Sequence, residues 1–269
     1  MTRLGIIGTG SLGTTLLRAI AAHAPEIALI AANRDPLRIE MLRREIPSLS
    51  AAAPEEVARD ADLVLLCVPP QVYLPLVERI APHLGPRTIL VSVTNSVSLN
   101  AIGTHVSAPV IKVIPTLAHV VGRGVALLIA GPRAQPKHID MVRDVFAHFS
   151  MPMVIDGRDD RVASNVAGSA LALFAALCDT FVTANAERAE TLDRQTLDGM
   201  MAETLAAIAA LTNAGYAWSD IVRATATPGG MTEAALSLLM SRFPQIARNV
   251  VASTFVKQAE LQGPERISP

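Results

Sequence analysis

The stretch GIIGTGSLG, residues 5–13, decides how the chain begins to fold. It places Gly8, Gly10 and Gly13 in the spacing G-x-G-x-x-G, directly after the apolar run RLGIIG (3–8) and at the start of a helical pattern. The first glycine of this spacing permits a tight turn, the second lets a pyrophosphate approach the backbone, and the third lets the helix pack on the strand. In this context the motif predicts a dinucleotide-binding βαβ unit, and a glycine-rich turn without a ligand is the alternative.

Six further strand-like runs follow in the N-terminal half of the chain. They are IALIAA (27–32), ADLVLLCV (61–68), TILVSV (88–93), PVIKVI (109–114), VALLIA (125–130) and MVID (153–156). Several are apolar without alternation, which is typical of strands covered on both faces. Segments between them, such as SLGTTLLRAIAAH (11–23), carry apolar residues on one helical face. This order predicts an α/β fold with a Rossmann-type, doubly wound parallel sheet over residues 1–156.

The C-terminal half, residues 157–269, has helical patterns only. They cover residues 159–190, 191–215, 232–243 and 244–262. The charged sequence DGRDD (156–160) is the expected linker between the halves. Some of these helices are apolar around most of their circumference, and a domain of about 110 residues has difficulty burying them alone. We therefore expect an all-α dimerisation domain that forms a homodimer or a higher homo-oligomer, with a compact monomeric bundle as the alternative.

The composition excludes several classes of partner. The 269 residues are 51% hydrophobic and carry a net charge of -1, which gives no attraction to nucleic acid or to an anionic membrane. Cys67 and Cys178 stand far apart, without a CxxC or a Cys/His cluster, and this indicates a reducing compartment. The N-terminal apolar run makes a poor signal peptide, and AGSALALFAALC (167–178) is too short to span a bilayer. We expect a soluble, cytoplasmic protein.

The end of the second strand-like run indicates which nucleotide is bound. A site for NAD has Asp or Glu about 20 residues beyond the glycines, where it holds the ribose 2′-hydroxyl. Here the run ends in AANRDP (31–36), which puts the neutral Asn33 at that place and Arg34 after it. A guanidinium can pair with a 2′-phosphate through two hydrogen bonds, so we predict NADP(H), with Asp35 as the cap of the next helix. A solvated loop cation is the alternative for Arg34.

Two further segments are expected to contact the cofactor. The first is the remainder of the glycine loop (residues 8–13), namely Thr9, Ser11 and Leu12. The second lies at the end of the run 61–68, because ligands of doubly wound sheets lie beyond the carboxyl ends of the strands. Its residues Val68, Pro69 and Pro70 are expected to form a rigid lip, that is, an edge of the cofactor site. A plain connection between strand and helix is the alternative for this lip.

The sequence contains no Ser/His/Asp arrangement, no nucleophile elbow and no metal-ligand spacing. Among six histidines, only His119 stands where a substrate could pass, and a loop histidine without a role is its alternative. The stretch RATATPGGMTEAAL (223–236) is unusual in another way, because Pro-Gly-Gly interrupts two alanine-rich helical segments. A bare interhelix turn explains this pair of glycines, and so does a site where backbone N–H groups approach a ligand.

Four stretches stand in order along the chain: NR (33–34), VIKVIPTLAHVVGRGVALL (110–128), DDRVASNVAGSALALF (159–174) and TPGGMTEAALSLL (227–239). The same order is seen in pyrroline-5-carboxylate reductases, a family that the chain resembles over nearly its whole length. The resemblance implies an NADP-type Rossmann domain and an all-helical domain that interlocks in a dimer. It also implies reduction of a cyclic imine, 1-pyrroline-5-carboxylate, to proline.

The resemblance also implies roles for the segment TPGGMT (227–232). In the family this segment receives the substrate carboxylate on backbone N–H groups, which here belong to Gly229, Gly230 and Met231. Its last residue, Thr232, corresponds to the hydrogen-bond partner or proton donor of the imine nitrogen, and a mere helix cap is the alternative. Ser169 is retained from another family motif and is expected to contact the substrate.

Several positions differ from the family's pattern. Pro69 replaces a lysine, Thr94-Asn95-Ser96 replaces A-A-G, IPTLA (114–118) replaces M-P-N-T-P, AGSALAL (167–173) replaces S-G-S-G-P-A-Y, and Gly215 stands near the usual acidic residue. Two other functions therefore stay open. One is an NADP-dependent oxidoreductase of the same plan that acts on a different imine or on a carbonyl. The other is a catalytically silent, NADP-binding regulatory paralogue.

Overall fold

The computed structural model describes residues 2–262 and begins with a βαβ unit, as the glycine spacing predicts. β1 (Arg3–Ile7) leads through the glycine loop into α1 (Ser11–His23), and β2 (Ala28–Ala32) then pairs with β1 in parallel. The apolar face of α1 includes Leu16 and Ile20, which are fully buried. This burial of one helical face on a sheet is the amphipathic pattern that the sequence carries.

The strands form one eight-stranded sheet. The others are β3 (Ser50–Ala51), β4 (Leu63–Leu66), β5 (Ile89–Ser92), β6 (Val110–Ile114), β7 (Val125–Ala130) and β8 (Met151–Val154). Their order is β3-β2-β1-β4-β5-β6-β7-β8, and every pair is parallel except β6 with β7. The strand order reverses at β1 and β4. A crevice for a ligand is expected at that switch point, beyond the carboxyl ends of these strands.

Helices cover both faces of the sheet. After α1 come α2 (Pro36–Glu45), α3 (Pro54–Asp60), α4 (Tyr73–Ile80), α5 (Leu99–His105) and α6 (Pro136–Ala147). α1, α2 and α6 pack in one hydrophobic cluster, whereas α3, α4 and α5 pack in a second one. Leu4 and Ile6 of β1 belong to the first cluster and Ile7 to the second, so this strand is covered on both sides. The N-terminal half therefore has the predicted doubly wound fold.

Two features of the sheet differ from the sequence prediction. β3 is a two-residue, exposed strand at the edge of the sheet, and it has no apolar run from which to predict it. β7 runs antiparallel to β6, with Ile111 opposite Ala130, so the sheet is not wholly parallel. Residues 115–124, which join these two strands, contain only a 3-10 turn. A parallel pair needs a crossover connection of about a dozen residues or more.

Beyond β8 the described chain is helical. It contains α7 (Asp160–Ser164), a π-helical turn (Asn165–Ser169), α8 (Ala170–Ala186), α9 (Arg194–Asn213), α10 (Trp218–Thr225) and α11 (Met231–Gln262). The prediction of two helices that meet at Pro244 is wrong, because α11 continues through this proline. A proline inside a helix removes one backbone hydrogen bond and favours a kink, and here it does not end the helix.

The described chain divides into two compact units. One comprises residues up to Gly168 together with residues 258–262, and the other comprises Ser169–Lys257. The C-terminal turn of α11 therefore belongs to the sheet-containing unit. This division falls between Gly168 and Ser169, beyond the predicted linker at residues 156–160, and the domain boundary near residue 157 stays a prediction.

The helical unit exposes an unusual amount of apolar surface. Phe174 and Phe181 of α8, Met200 of α9 and Leu238 of α11 are each more than half exposed. The helical stretch Gly157–Ala186 is long and apolar enough, by length and composition alone, to cross a membrane. The run 167–178 therefore underestimates the length of the apolar helical stretch, which continues on both sides of that run. An apolar helix that its own chain leaves uncovered needs a partner surface.

Candidate functional site

The three glycines of the glycine loop have different surroundings. Gly8 has a φ of +99°, and a Cβ atom there would lie 2.4 Å from the carbonyl oxygen of Cys67. A Cβ atom on Gly13 would lie 2.0 Å from the carbonyl oxygen of Gly8. A Cβ atom on Gly10 would meet no protein atom within 4 Å. Gly8 and Gly13 are thus required by the fold, whereas the space beside Gly10 is open for a ligand.

The N-terminus of α1 faces this open space without a side-chain cap. Gly10 is the N-cap residue, and it has no side chain to accept from the first N–H groups of the helix. Those N–H groups have no partner within the helix, and they stand at the positive end of its dipole. Such a terminus binds phosphate groups readily. The backbone N–H groups of Ser11 and Leu12 lie in this first turn.

The end of β2 is joined to the glycine loop through side chains. The amide Nδ2 of Asn33 donates a hydrogen bond to the hydroxyl of Thr9, which is almost fully buried. The amide Oδ1 of Asn33 accepts from the backbone N–H of Asp35 at 3.0 Å. The carboxylate of Asp35 in turn accepts from the N–H of Leu37 at 3.0 Å and caps α2, as predicted. The acid nearest to the predicted ribose position is therefore used as a helix cap.

A cavity of about 650 Å³, here called the cofactor cavity, lies at the switch point of the sheet. It brings together seven of the predicted cofactor residues: Gly8, Thr9, Gly10, Asn33, Arg34, Val68 and Pro69. Four others do not line it: Ser11, Leu12, Gly13 and Pro70. Leu12 instead packs partly against the hydrophobic core, and Gly13 is buried between strand and helix. The predicted motifs that follow β1, β2 and β4 therefore line one cavity, whose volume suits one nucleotide of a dinucleotide.

Several residues that line the cofactor cavity belong to none of the predicted motifs. An apolar wall is formed by Pro54, Val72, Pro75 and Leu76. Two arginines also line the space, and they come from different helices. Arg38 in α2 places Nη1 3.4 Å from the carbonyl oxygen of Thr9, and Arg79 in α4 places Nε 2.9 Å from Oε1 of Glu55. The signal for Arg38 is its spacing of four residues after Arg34 across a helix start.

The only thiol on the cavity wall belongs to Cys67, which follows β4. Burial raises the pKa of the Cys67 thiol to about 12. A thiol with such a pKa stays protonated at neutral pH and is a poor nucleophile. Cys67 therefore serves the cavity as an apolar packing residue.

The segment TPGGMT forms a tight turn directly before α11. Gly229 has a φ of +73°, and the N–H of Gly230 donates to the carbonyl of Thr227 at 2.9 Å. The carboxylate of Glu233 accepts from the N–H of Gly229 at 2.6 Å. Thr232 is exposed in the first turn of α11, beside Met231, which is 92% exposed. The segment thus leads into an exposed helix N-terminus. The other predicted substrate residue, Ser169, ends the π-helical turn before α8.

Other titratable groups have structural surroundings. His119 is fully buried against Phe146 and Phe149, and its Nδ1 lies 3.0 Å from the carbonyl oxygen of Arg123. Burial lowers the pKa of His119, and this hydrogen bond offsets only part of the effect. The histidine is therefore a core residue, and not one that a substrate passes. Over residues 2–262, no group of three or more His, Cys, Asp or Glu side chains is placed to hold a metal ion.

A buried ion pair connects the middle of β6 with the start of α7. Nζ of Lys112, a residue only 4% exposed, is 3.3 Å from Oδ2 of Asp160 at the start of α7. The other carboxylate oxygen of Asp160 accepts from Nε2 of Gln258 at 3.0 Å. The network joins a central strand, α7 and the C-terminal turn of α11 within the sheet-containing unit.

Two family models match separate parts of the chain. Residues 3–96 match the model described as NADP oxidoreductase coenzyme F420-dependent. Residues 159–261 match the model described as pyrroline-5-carboxylate reductase dimerisation. Together they cover more than half of the chain.

Curated relatives match along almost the whole chain. ComE operon protein 4 of Bacillus subtilis is 24% identical over 262 residues, which is 96% of this chain and 96% of that protein. Pyrroline-5-carboxylate reductase 3 of the same organism is 23% identical over 260 residues, with the same coverage of both chains. Pyrroline-5-carboxylate reductase of Corynebacterium melassecola is 24% identical over 243 residues, or 88% of this chain and 89% of that one.

Solved structures have the same fold. Plasmodium falciparum pyrroline carboxylate reductase with NADP bound superposes with a TM-score of 0.85 at 19% identity, covering 97% of this chain and 98% of that chain. The 1-pyrroline-5-carboxylate reductase of Streptococcus pyogenes superposes with a TM-score of 0.80 at 20% identity, covering 95% and 97%. At these identities the likeness shows the two-part fold.

Proposed function

We propose that this chain, which belongs to the pyrroline-5-carboxylate reductase family, uses NADPH to reduce 1-pyrroline-5-carboxylate to L-proline. Its membership confirms the resemblance found in the sequence and makes the chain an NAD(P)-dependent oxidoreductase. The substrate is the proposed part, because the relatives are only about a quarter identical.

The observation that carries the proposal is the cofactor cavity. It combines an open glycine turn, an uncapped helix N-terminus and an exposed arginine at the end of β2. These features fit a phosphorylated dinucleotide: Gly8 to Gly13 would receive the pyrophosphate, and Asn33 and Arg34 the 2′-phosphate. Val68 and Pro69 would lie against the cofactor at the cavity wall. NADPH, when bound, supplies the hydride that an imine carbon accepts.

The substrate side is proposed from the segment TPGGMT. The N–H groups of Gly229, Gly230 and Met231 stand at or before the start of a long helix, where an anionic carboxylate is favoured. In the described structure the N–H of Gly229 donates to Glu233 and the N–H of Gly230 donates to the carbonyl of Thr227, so a substrate carboxylate would compete with these acceptors for two of the three N–H groups. Thr232 would hold the imine nitrogen by a hydrogen bond or relay a proton to it, and Ser169 would add a polar contact.

A second candidate function is supported by specific residues. Pro69 stands on the cavity wall where the family has a lysine, so one cation of the usual site is lost. Such a change fits a reductase that acts on another imine or on a carbonyl. It also fits a silent, NADP-binding regulatory paralogue, and ComE operon protein 4 is among the relatives.

The helical unit supports a homodimer. Its exposed apolar residues lie within residues 159–261, the part that matches the dimerisation model. A second copy would cover the apolar stretch Gly157–Ala186. With that surface covered, we propose a soluble, cytoplasmic oligomer with neither membrane nor nucleic acid as a partner.

The test is NADPH oxidation by the purified protein with 1-pyrroline-5-carboxylate. Six-membered piperideine carboxylates and a simple ketone serve as matched alternatives. Turnover mainly with the five-membered imine supports the proposal. Turnover mainly with another compound would assign a different reductase, and NADPH binding without any turnover would assign a silent paralogue.

A further inference from the structure

We propose that Gln258 is a positioning residue for the substrate. Its hydrogen bond to Asp160 fixes the C-terminal end of α11, and α11 carries this restraint to the segment TPGGMT (227–232) at its other end. The inference rests on the proposed function, in which that segment binds the imine. It concerns a residue that belongs to none of the predicted motifs.

The chain passes between its two compact units twice. It leaves the sheet-containing unit between Gly168 and Ser169, and it returns between Lys257 and Gln258. Gln258 is therefore the first residue after the return, and Asp160 begins α7, the last α-helix before the departure. A contact that restrains both passages restrains the helical unit at both of its ends.

The carboxylate of Asp160 makes such a contact. Its Oδ1 accepts from Nε2 of Gln258 at 3.0 Å, and its Oδ2 lies 3.3 Å from Nζ of Lys112. Lys112 belongs to β6, which is paired with β5 on one side and with β7 on the other. Asp160 and Lys112 are both buried, and a hydrogen bond to a charged group is stronger where water is largely excluded. Both passages are thus fastened to a central strand.

Apolar packing contributes little at this end of α11. Val256 and Leu261, on either side of Gln258, are 61% and 57% exposed. Apolar contacts stabilise in proportion to the area that they bury. Gln258 is better covered than these two neighbours, and its amide is directed to Asp160. The direction of the helix end therefore depends on this hydrogen bond.

The length of α11 enlarges any change at its C-terminal end. Thr232 and Gln258 belong to the same helix, and at 1.5 Å per residue the part between them is about 40 Å long. A tilt of about 2° at one end of such a helix moves the other end by about 1 Å. A misplacement of about 1 Å can lower a reaction rate by about a hundredfold. Loosening the end at Gln258 should therefore disturb the substrate more than the cofactor.

The test compares Gln258→Ala with Gln258→Lys, which keeps an N–H donor for the carboxylate of Asp160. The matched control is Gln245→Ala, because Gln245 stands in the same helix and its amide donates to Asn249 of that helix at 2.9 Å. Steady-state kinetics with 1-pyrroline-5-carboxylate gives kcat and KM, and titration gives the Kd of NADPH. Thermal unfolding checks that each variant is folded. Hydrogen exchange of residues 258–262 reports on the helix end without any substrate.

We expect Gln258→Ala to lower kcat/KM for the imine by about tenfold or more, with the Kd of NADPH within about twofold of the wild type. The melting temperature should change by only a few degrees, whereas hydrogen exchange over residues 258–262 should become faster. Gln258→Lys should recover most of the lost kcat/KM, and Gln245→Ala should behave as the wild type.

Unchanged imine kinetics or unchanged hydrogen exchange in Gln258→Ala overturns the inference while the proposed function stands. Equal losses of imine turnover and of NADPH affinity also overturn it, because they would show a general structural role. A wild-type protein that binds NADPH but reduces no 1-pyrroline-5-carboxylate overturns the proposed function and this inference together.

Discussion

The side-chain amide of Asn33 donates to the hydroxyl of Thr9 and thereby fastens the end of β2 to the glycine loop. A carboxylate at this position could not donate that hydrogen bond at neutral pH. The amide holds the loop in place, and it leaves the proposed 2′-phosphate position free of negative charge.

Asn33→Asp is expected to weaken NADPH binding by about tenfold to a hundredfold, because the new carboxylate repels the 2′-phosphate. NADH binding should stay equal or improve, since an acid at this place suits a ribose diol. Titration of both nucleotides measures the change. Parallel loss of NADH and NADPH would instead mean that the residue only supports the loop.

A substitution at Gly10 should weaken cofactor binding without affecting the stability of the fold. A methyl group there meets no protein atom within 4 Å, and the backbone φ of -70° is open to any residue. Gly10→Ala should therefore unfold within a few degrees of the wild type yet bind NADPH and NADH at least about tenfold more weakly. Calorimetry and nucleotide titration on the same sample test both parts.

Gly13→Ala is the matched comparison for this variant. Its methyl group would lie 2.0 Å from the Gly8 carbonyl, so we expect a loss of stability of about 2 kcal/mol or more. If Gly10→Ala proved the more destabilising of the two, the space beside Gly10 would not be a ligand site.

The buried ion pair of Lys112 and Asp160 should matter for stability. Lys112→Met leaves a buried carboxylate without its cation, and such a change typically costs about 3–5 kcal/mol. Adding Asp160→Asn to that variant should recover a large part of the loss. Urea unfolding of the single and double variants measures this coupling, and a single variant within about 1 kcal/mol of the wild type would rule out the predicted cost.

His119 should make stability depend on pH. Burial lowers its pKa below the ordinary value of about 6.5, so the unfolded chain binds a proton more readily than the folded one. Stability from this group is complete above pH 6.5 or so and declines as the pH falls below that value. His119→Phe keeps an aromatic ring beside Phe146 and should lose less of its melting temperature between pH 8 and 5.5. Equal losses in both proteins would show that other groups cause the pH dependence.

Thr232→Ala should lower kcat by at least about tenfold while NADPH affinity changes little, because the hydroxyl is proposed to act on the imine nitrogen. Thr232→Ser keeps the hydroxyl and should retain most of the activity. Steady-state kinetics with nucleotide titration separates the two effects. Full activity in the alanine variant would leave this threonine as an exposed residue of the first turn of α11 without a catalytic role.

Much of the fold was predictable because burial leaves a strong pattern in the sequence. The seven longer strands are apolar runs, and the glycine spacing places the first helix after β1. β3 could not be predicted, since two exposed edge residues carry no such pattern. The direction of β7 depends on the length of its connection to β6 rather than on its own residues. Pro244 does not mark a helix boundary, because a proline weakens a long helix without always ending it.

The cofactor side of the site was predictable for a similar reason. Gly8, Gly10 and Asn33 carry a recognisable spacing, and all three line one cavity. Arg79 could not be predicted because a surface-type residue on a helix gives no sign of its orientation, and the one signal for Arg38 is its spacing of four residues after Arg34. The capping role of Asp35 could be predicted, because the sequence places an acid directly before Pro36 at the start of a helical pattern.

The central claim is hydride transfer from NADPH to the carbon of a cyclic imine. The most direct measurement supplies the protein with 1-pyrroline-5-carboxylate and NADPH in which both hydrogens at C4 of the nicotinamide are replaced by deuterium, followed by mass spectrometry of the product. We predict proline with one deuterium at C5, the former imine carbon, and a proton from solvent on nitrogen. Absence of labelled proline from a protein that is folded and binds NADPH would contradict the claim.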